Sequence, residues 1–272
     1  VGKSTFIEAF GLAVIDAGHR LAVLAVDPSS ALSGGSILGD KTRMPELSRH
    51  PDAFIRPSPG GTTQGGVARR TWDAMGLCEA AEYDVVVVET IGVGQSEVAV
   101  ASMVDAFTVL VNPGGGDELQ GIKRGIMELA DLVVVTKADG DLAAAAGLSA
   151  ADYTNALGLL RPRWQAWRPE VLTCSALAGT GITEVWDALG RFAAAVRASG
   201  EFDAHRAAQA TRAMWTEVQN AALERLAADP GVAGAMAAAE ADVAAGRLAP
   251  TVAARQVLDA WESGGSGATK PA

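Results

Sequence analysis

The chain has 272 residues, and its 22 Lys and Arg against 32 Asp and Glu give a formal net charge of -10, an acidic balance that repels phosphate backbones and argues against nucleic acid as a partner. Hydrophobic residues make up 49% of it, enough for a sizeable core, and the length fits one α/β domain plus a smaller appendage. Cys78 and Cys174 are far apart and form no CxxC, which argues against a disulfide scaffold or a zinc site and fits a reducing cytosol; no apolar run reaches the ~18 residues a membrane helix needs.

Residues 4–17 carry helical spacing (Phe6, Ile7, Phe10, Val14) and stop at Gly18, a suitable residue just past a helix end. Leu21 to Val26 is a short apolar run ending in Asp27-Pro28, the pattern of a buried parallel strand. A polar, Gly-rich loop is expected over 29–44, a short strand at Phe54-Ile55 and a helix over 66–82. Val85 to Val88 is the clearest strand in the sequence. Beyond it the pattern predicts a helix over 95–104, a strand over 107–111, a helix over 118–129 and a strand over 132–136. An Ala-rich helical stretch runs to about Leu160, then a strand at Val171-Leu172-Thr173 and a helix over 182–197. This alternation predicts a doubly wound, mostly parallel sheet. No strand candidate follows Gly200. Residues 203–262 read as helices broken at Asp229-Pro230-Gly231 and at Gly246, and Ser263 to Ala272 reads as a disordered tail. The expected division is therefore an α/β domain over 1–200, a helical appendage over 201–262 and a tail over 263–272.

Five segments carry chemistry. Gly2-Lys3-Ser4-Thr5 before a helix is the back half of a phosphate-binding Walker A loop. Gly2 would let backbone N–H groups approach phosphate oxygens, Lys3 would reach the β- and γ-phosphates, and the Ser4 hydroxyl would ligate Mg²⁺. Alone, this tetrapeptide reads equally as an exposed Gly-Lys turn. Asp27 directly follows a buried strand, where a carboxylate suits a metal or simply begins a turn. Val85 to Glu89 is an apolar strand delivering one acid, the Walker B arrangement with Glu for the usual Asp. In the loop after it, Gly92 could give its N–H to a γ-phosphate. Thr136-Lys137-Ala138-Asp139 ends a strand in the [N/T]-K-x-D pattern of a guanine reader. Asp139 can accept hydrogen bonds from guanine N1–H and the 2-amino group, which adenine does not offer, and the Lys137 stem would cover the base. Cys174-Ser175-Ala176 closes the next strand, where a backbone N–H can reach guanine O6. Each segment has a bland structural alternative, but all five appear in order at strand ends or helix starts.

On these residues the sequence resembles the MeaB/ArgK-type P-loop GTPases of the SIMIBI class, associated with adenosylcobalamin-dependent methylmalonyl-CoA mutase. The resemblance rests on GKST (2–5), VLAVDPSS (23–30), GGSILGDKTRM (34–44), ETIGVGQSEVAVASMVD (89–105) and GDELQGIKRGIMELADLVVVTKADGD (116–141). It implies GTP/GDP and Mg²⁺ as cofactors, with Lys3, Ser4 and Thr5 on the phosphates and Ser4, Asp27, Asp40 and Glu89 around the metal. It further implies switch segments over 29–44, 90–97 and 116–125, the last containing Lys123 and sensing a partner mutase. Thr136, Lys137, Asp139, Ser175, Ala176 and Leu177 would form the guanine pocket. Lys3, Lys123 and Gln95 are the candidate catalytic residues. The helical C-terminus resembles a dimerisation arm, and Val252, Val257, Leu258 and Trp261 suit a helix-packing face.

The resemblance thus implies a cytoplasmic GTP-hydrolysing chaperone that gates cofactor loading of an acyl-CoA mutase, acting as a homodimer. An ATP-dependent kinase tied to arginine or ornithine transport is the alternative, against which Asp139 argues. Three departures are expected to matter. The chain opens inside the Walker A loop, which predicts weak GTP binding by residues 1–272. Thr136 stands where many GTPases have Asn. Residues 112–116 are Gly-rich, so the lead into the third switch should be mobile.

Overall fold

Helix α1 (Lys3–Asp16) turns Phe6, Ile7, Phe10, Val14 and Ile15 inward, the stripe its apolar spacing predicts. It lies very close to its neighbours at Gly11. A Cβ there would come within 2.7 Å of Leu21 Cδ2 and 2.8 Å of Leu47 Cδ2. The computed structural model describes residues 2–26, 43–56, 64–90, 95–114 and 124–265. The chain divides into two units, Val1–Thr211 and Arg212–Ala272.

In the first unit, β1 (Leu21–Val26) pairs in parallel with β2 (Ala53–Arg56) and β3 (Val85–Thr90), giving the order β2-β1-β3. A second parallel sheet, β4-β5-β6, joins Thr108–Val111, Leu132–Val135 and Glu170–Thr173. Helices α2 (Gln64–Ala80), α3 (Gln95–Ala101), α4 (Arg124–Met127), α5 (Ala143–Gly158) and α6 (Ile182–Ala198) connect or follow the strands. The two sheets share one core. Leu21 and Val23 of β1, and Leu132 and Val134 of β5, pack with Phe6, Phe10 and Val14 of α1 and with Ile182, Val185 and Ala188 of α6. Alternate residues face the other way. Ala22 and Leu24 meet Ala74 and Cys78 of α2, and Val133 and Val135 meet Ala146, Tyr153 and Leu157 of α5. Helices thus cover both faces, as a doubly wound fold requires.

Burial separates central from flanking strands. All six residues of β1 and all four of β5 are buried, whereas Val85 to Val88 of β3 are only half-buried. The four-valine run alone suggests a fully buried strand, but β3 is paired on one side only among the described residues.

Several boundaries differ from the sequence pattern. Helix α3 stops at Ala101 rather than 104, where Met103 N–H closes a tighter i→i−3 turn on Val100 O. Of the helix expected over 118–129, the described part is Arg124–Met127, and residues 115–123 lie outside the description. A 3₁₀ turn (Gly140–Leu142) precedes α5 in the Ala-rich stretch.

After Gly200 the described chain is all helical: α7 (Glu201–Ala228), α8 (Pro230–Ala244) and α9 (Pro250–Gly265). The first break falls at Asp229, whose side chain accepts from Gly231 N–H at 2.8 Å, with Pro230 in the first turn. The second falls at Gly246, with φ 69°. Because α9 reaches Gly265, Ser263 to Gly265 are helical rather than part of a disordered tail. In the second unit, α8 and α9 form an apolar groove lined by Met236, Ala239, Val243, Pro250, Ala253 and Val257. Of the four positions read as a packing face on α9, Val257 and Trp261 are half-buried, while Val252 and Leu258 are exposed. The contact with α8 instead runs through Ala253 and Val257, one helical turn apart.

Candidate nucleotide site

Helix α1 starts at the carboxyl ends of the strands. Gly2, immediately before it, has φ 75° and ψ 36°, a left-handed conformation that a side chain would strain. Gly2 itself offers no side-chain cap to this helix start. The N–H groups of its first turn, together with the local dipole, are therefore arranged to receive an anion. Lys3 folds back across the site, its Nζ donating to Thr90 O at 2.5 Å. Thr90 ends β3, and Glu89 before it is a buried carboxylate, 6% exposed. Ser4 is half-buried and Thr5 exposed.

The loop after β5 lies at the same end of the sheet. Thr136 is buried and gives both its N–H and its hydroxyl to Val111 O, at 2.9 and 3.1 Å, fastening the ends of β4 and β5. Lys137 has φ 57°, and a Cβ built on Gly2 would lie 3.8 Å from Lys137 Cε. Ala138 N–H donates to Cys174 O at 2.9 Å, which binds this loop to the end of β6. Asp139 is extended and half-buried, with no hydrogen bond capping the following turn.

A tight turn follows β6. Ser175 and Thr180 exchange backbone hydrogen bonds of 2.9 and 3.1 Å, and Ser175 Oγ accepts from Ala178 N–H at 3.1 Å. Ser175 therefore shapes the turn. Leu177 stands at the tip, 85% exposed. Gly181 closes the turn with φ 75°, and a Cβ there would sit 2.3 Å from Thr173 O. Burial pushes the Cys174 thiol up to about 11, which leaves it protonated and unreactive.

The structure brings together Gly2, Lys3, Ser4, Thr5, Glu89, Thr136, Lys137, Asp139, Ser175, Ala176 and Leu177 at strand ends and the start of α1. Asp27, Asp40, Gly92 and Lys123 lie outside the described residues, as does the side chain of Gln95, whose backbone opens α3.

Sequence reading missed a second polar centre at the opposite, amino-terminal end of β5. Asp131, 1% exposed, accepts from Phe107 N–H at 2.8 Å, Trp164 Nε1 at 2.7 Å and Arg163 Nη1 at 3.2 Å. Trp167 Nε1 donates to its carbonyl at 2.9 Å. Burial raises its carboxyl to about 6, opposed by Arg163 and by the Phe107 and Trp164 donors. The available signal was an Asp placed just before an apolar strand, together with two Trp and three Arg crowded into residues 161–168.

A parallel sheet covered on both faces, with an anion-ready helix start beside a T-K-x-D loop at the strand ends, defines a nucleotide-binding protein of the P-loop class. Within that class the chain belongs to the family described as methylmalonyl Co-A mutase-associated GTPase MeaB, whose model matches residues 1–231. It is similar to the Mus musculus protein named methylmalonic aciduria type A homolog, mitochondrial, at 54% identity over 262 residues. That match covers 96% of this chain and 63% of the mouse protein, so the chain spans less than two thirds of that relative. It is 51% identical over 228 residues to GTPase ArgK of Escherichia coli, covering 84% of this chain and 69% of ArgK. Among solved structures it resembles the crystal structure of LAO/AO transport system kinase, with a TM-score of 0.71 and 40% identity over 95% of this chain and 77% of that one. Among the described residues no helix is long and apolar enough to cross a membrane.

Proposed function

We propose that this chain binds GTP at the carboxyl edge of its sheets, hydrolyses it, and uses the nucleotide state to govern an adenosylcobalamin-dependent acyl-CoA mutase. The observation that carries the reading is the approach of Lys137 to Gly2. It makes the base-reading loop and the phosphate-facing helix start neighbours, as a single bound nucleotide requires.

In this reading the N–H groups at the start of α1 hold phosphate oxygens. Lys3 exchanges the Thr90 carbonyl for phosphate and offsets negative charge as the terminal phosphoryl group leaves. Asp139 accepts the guanine N1–H and 2-amino donors, Lys137 covers the base, and the Ala176 and Leu177 amides face O6. The Ser4 hydroxyl and Glu89 carboxylate are hard oxygen donors that suit Mg²⁺, with Asp27 and Asp40 completing the set. Bound there, the ion would neutralise charge on the phosphate oxygens. Gln95 and Lys123 are our candidates for orienting water and for sensing the partner.

The family description and the name of the mouse relative support the mutase as partner. The exposed Met214, Trp215, Val218 and Leu223 of α7 support self-association through the 201–262 helices. The two buried free cysteines suit a reducing compartment such as the cytoplasm.

Competition of GTP against ATP tests the base preference, and co-purification with a mutase under GDP and under a slowly hydrolysed GTP analogue tests the output. Preference for ATP would sink the guanine reading and favour a transport-linked kinase. Equal mutase affinity in every nucleotide state would sink the gating role.

A further inference from the structure

Two polar groups at neighbouring strand ends each lack what the other can supply. Asn112, one residue past β4, is half-buried, and its Oδ1 is enclosed with no hydrogen-bond partner among the described residues. Lys137, two residues past β5, is exposed, and among the described residues no hydrogen bond or ion pair holds its ammonium. The first is an acceptor and the second carries donors only.

Strand register brings them together. β4 and β5 run parallel with Val111 opposite Val135, so Asn112 stands level with Thr136, the residue before Lys137. Thr136 gives both its N–H and its hydroxyl to Val111 O, which fixes the spacing of the two ends. Both groups also lie on the α1 side of the sheet. Leu110 packs against the cluster that holds Phe6 and Phe10 of α1, and a residue two positions further along an extended chain shares its face, which places Asn112 there. Lys137 Cε lies 3.8 Å from the Cβ position of Gly2, at the start of α1. Adjacent strands are about 4.8 Å apart, a gap that the four-carbon lysine stem spans.

The energetics favour a pairing that depends on ligand. An exposed ammonium is well solvated and has little to gain from an amide oxygen. A guanine read by Asp139 lies under the Lys137 stem and takes water from that flank. The ammonium then gains by turning to an enclosed acceptor, and a charged donor makes the stronger bond there.

We propose that Asn112 is a positioning residue of the nucleotide site: with GTP bound, its Oδ1 accepts from Lys137 Nζ and fixes the lysine stem over the base. The proposal rests on the GTP reading above. Thr136 commits its N–H and hydroxyl proton to Val111 O, so the bracing amide comes from the end of β4 rather than from the position before the lysine.

Titration with a fluorescent GTP analogue and urea unfolding, both on the 272-residue chain, test it. Asn112→Leu keeps the shape of the side chain without its acceptor, and Lys137→Met keeps the apolar stem without its ammonium. Asn112→Leu should weaken GTP binding about 10-fold. The urea midpoint of the nucleotide-free chain should stay level or rise, because an enclosed acceptor without a partner has been removed. In the Lys137→Met background the same substitution should change GTP affinity by less than about twofold, the non-additivity expected of two groups that act on each other. Unchanged GTP affinity in Asn112→Leu overturns the proposal. So do losses that multiply in the double variant, and so does a lowered urea midpoint of the nucleotide-free chain, which marks Asn112 as a brace of the fold. Each of these leaves the GTP reading standing. A wild-type chain that binds no GTP, or prefers ATP, removes the GTP reading and the role of Asn112 with it.

Discussion

Gly2 and Lys137 meet across the end of the sheets, 135 positions apart in sequence, and both adopt left-handed backbone, with φ 75° and 57°. For the lysine this conformation costs about 1–2 kcal/mol. Such strain is retained where the surroundings over-determine it, which is the usual condition of a ligand-facing loop.

Replacing Lys3 by Ala should lower GTP affinity about 10- to 100-fold, the equivalent of one charge-assisted hydrogen bond of ~1.5–3 kcal/mol. The fold should be little affected, because the bond to Thr90 O is only partly buried. Nucleotide titration paired with urea unfolding of the same protein checks both halves; equal losses in each would show that Lys3 is a structural brace.

Asp139→Asn should exchange the preferred base. An amide keeps one acceptor for N1–H but turns a donor toward the 2-amino group of guanine, so GTP binding should fall by about 10-fold or more. Xanthine carries a carbonyl at that position, and XTP binding should rise. Unchanged discrimination in a competition assay would show that Asp139 does not read the base.

Two glycines of one turn make a controlled pair. Gly179, φ 68°, has open space around its Cβ position, whereas Gly181, φ 75°, would place a Cβ 2.3 Å from Thr173 O. Gly179→Ala should cost about 1 kcal/mol through backbone strain alone. Gly181→Ala should cost about 3 kcal/mol or more, since overpacking adds to strain. Chemical denaturation of the two variants checks the order.

Asp131 makes stability depend on pH. Its carboxyl is raised by burial from 3.8 to about 6, so between those values the native chain keeps a proton that the unfolded chain has lost. The contribution of this group therefore declines as pH rises from about 4 to about 6, by at most ~1.4 kcal/mol per unit, and is flat above. Asp131→Asn should remove that slope. At pH 7 its net effect on stability should be small, about 1 kcal/mol or less, because the desolvation cost of the buried carboxylate is removed together with its pairing to Arg163. Urea midpoints of both proteins across pH 4.5 to 7.5 give the comparison.

The sheet was largely readable in the sequence because its strands are unbroken apolar runs that end in polar residues. Glu89 follows Val85 to Val88, and Thr136 follows Leu132 to Val135. The candidate site residues were placed from the same runs, since Glu89, Thr136 and Ser175 sit at or just past the ends of strands. Asp131 was not, because its value as an acceptor arises from Trp164 and Arg163, more than thirty residues away and brought to it only by folding. The shorter α3 was equally hidden. Its apolar spacing continues to Val104, yet the carbonyl of Val104 and the side chain of Asp105 are claimed by Gln209 and Arg206 of a helix over a hundred residues later. Asp27, Asp40, Gly92 and Lys123, named from motif alone, lie outside the described residues.

The two parallel sheets have no ladder of hydrogen bonds between them among the described strands, and share instead the side chains of α1 and α6. Cooperativity of unfolding therefore passes through this shared apolar seam, to which α1 contributes Phe6, Phe10 and Val14. Thinning that seam, for instance by Phe10→Ala, should split a single denaturation transition into two, with the half built on β4, β5 and β6 outlasting the half built on β1.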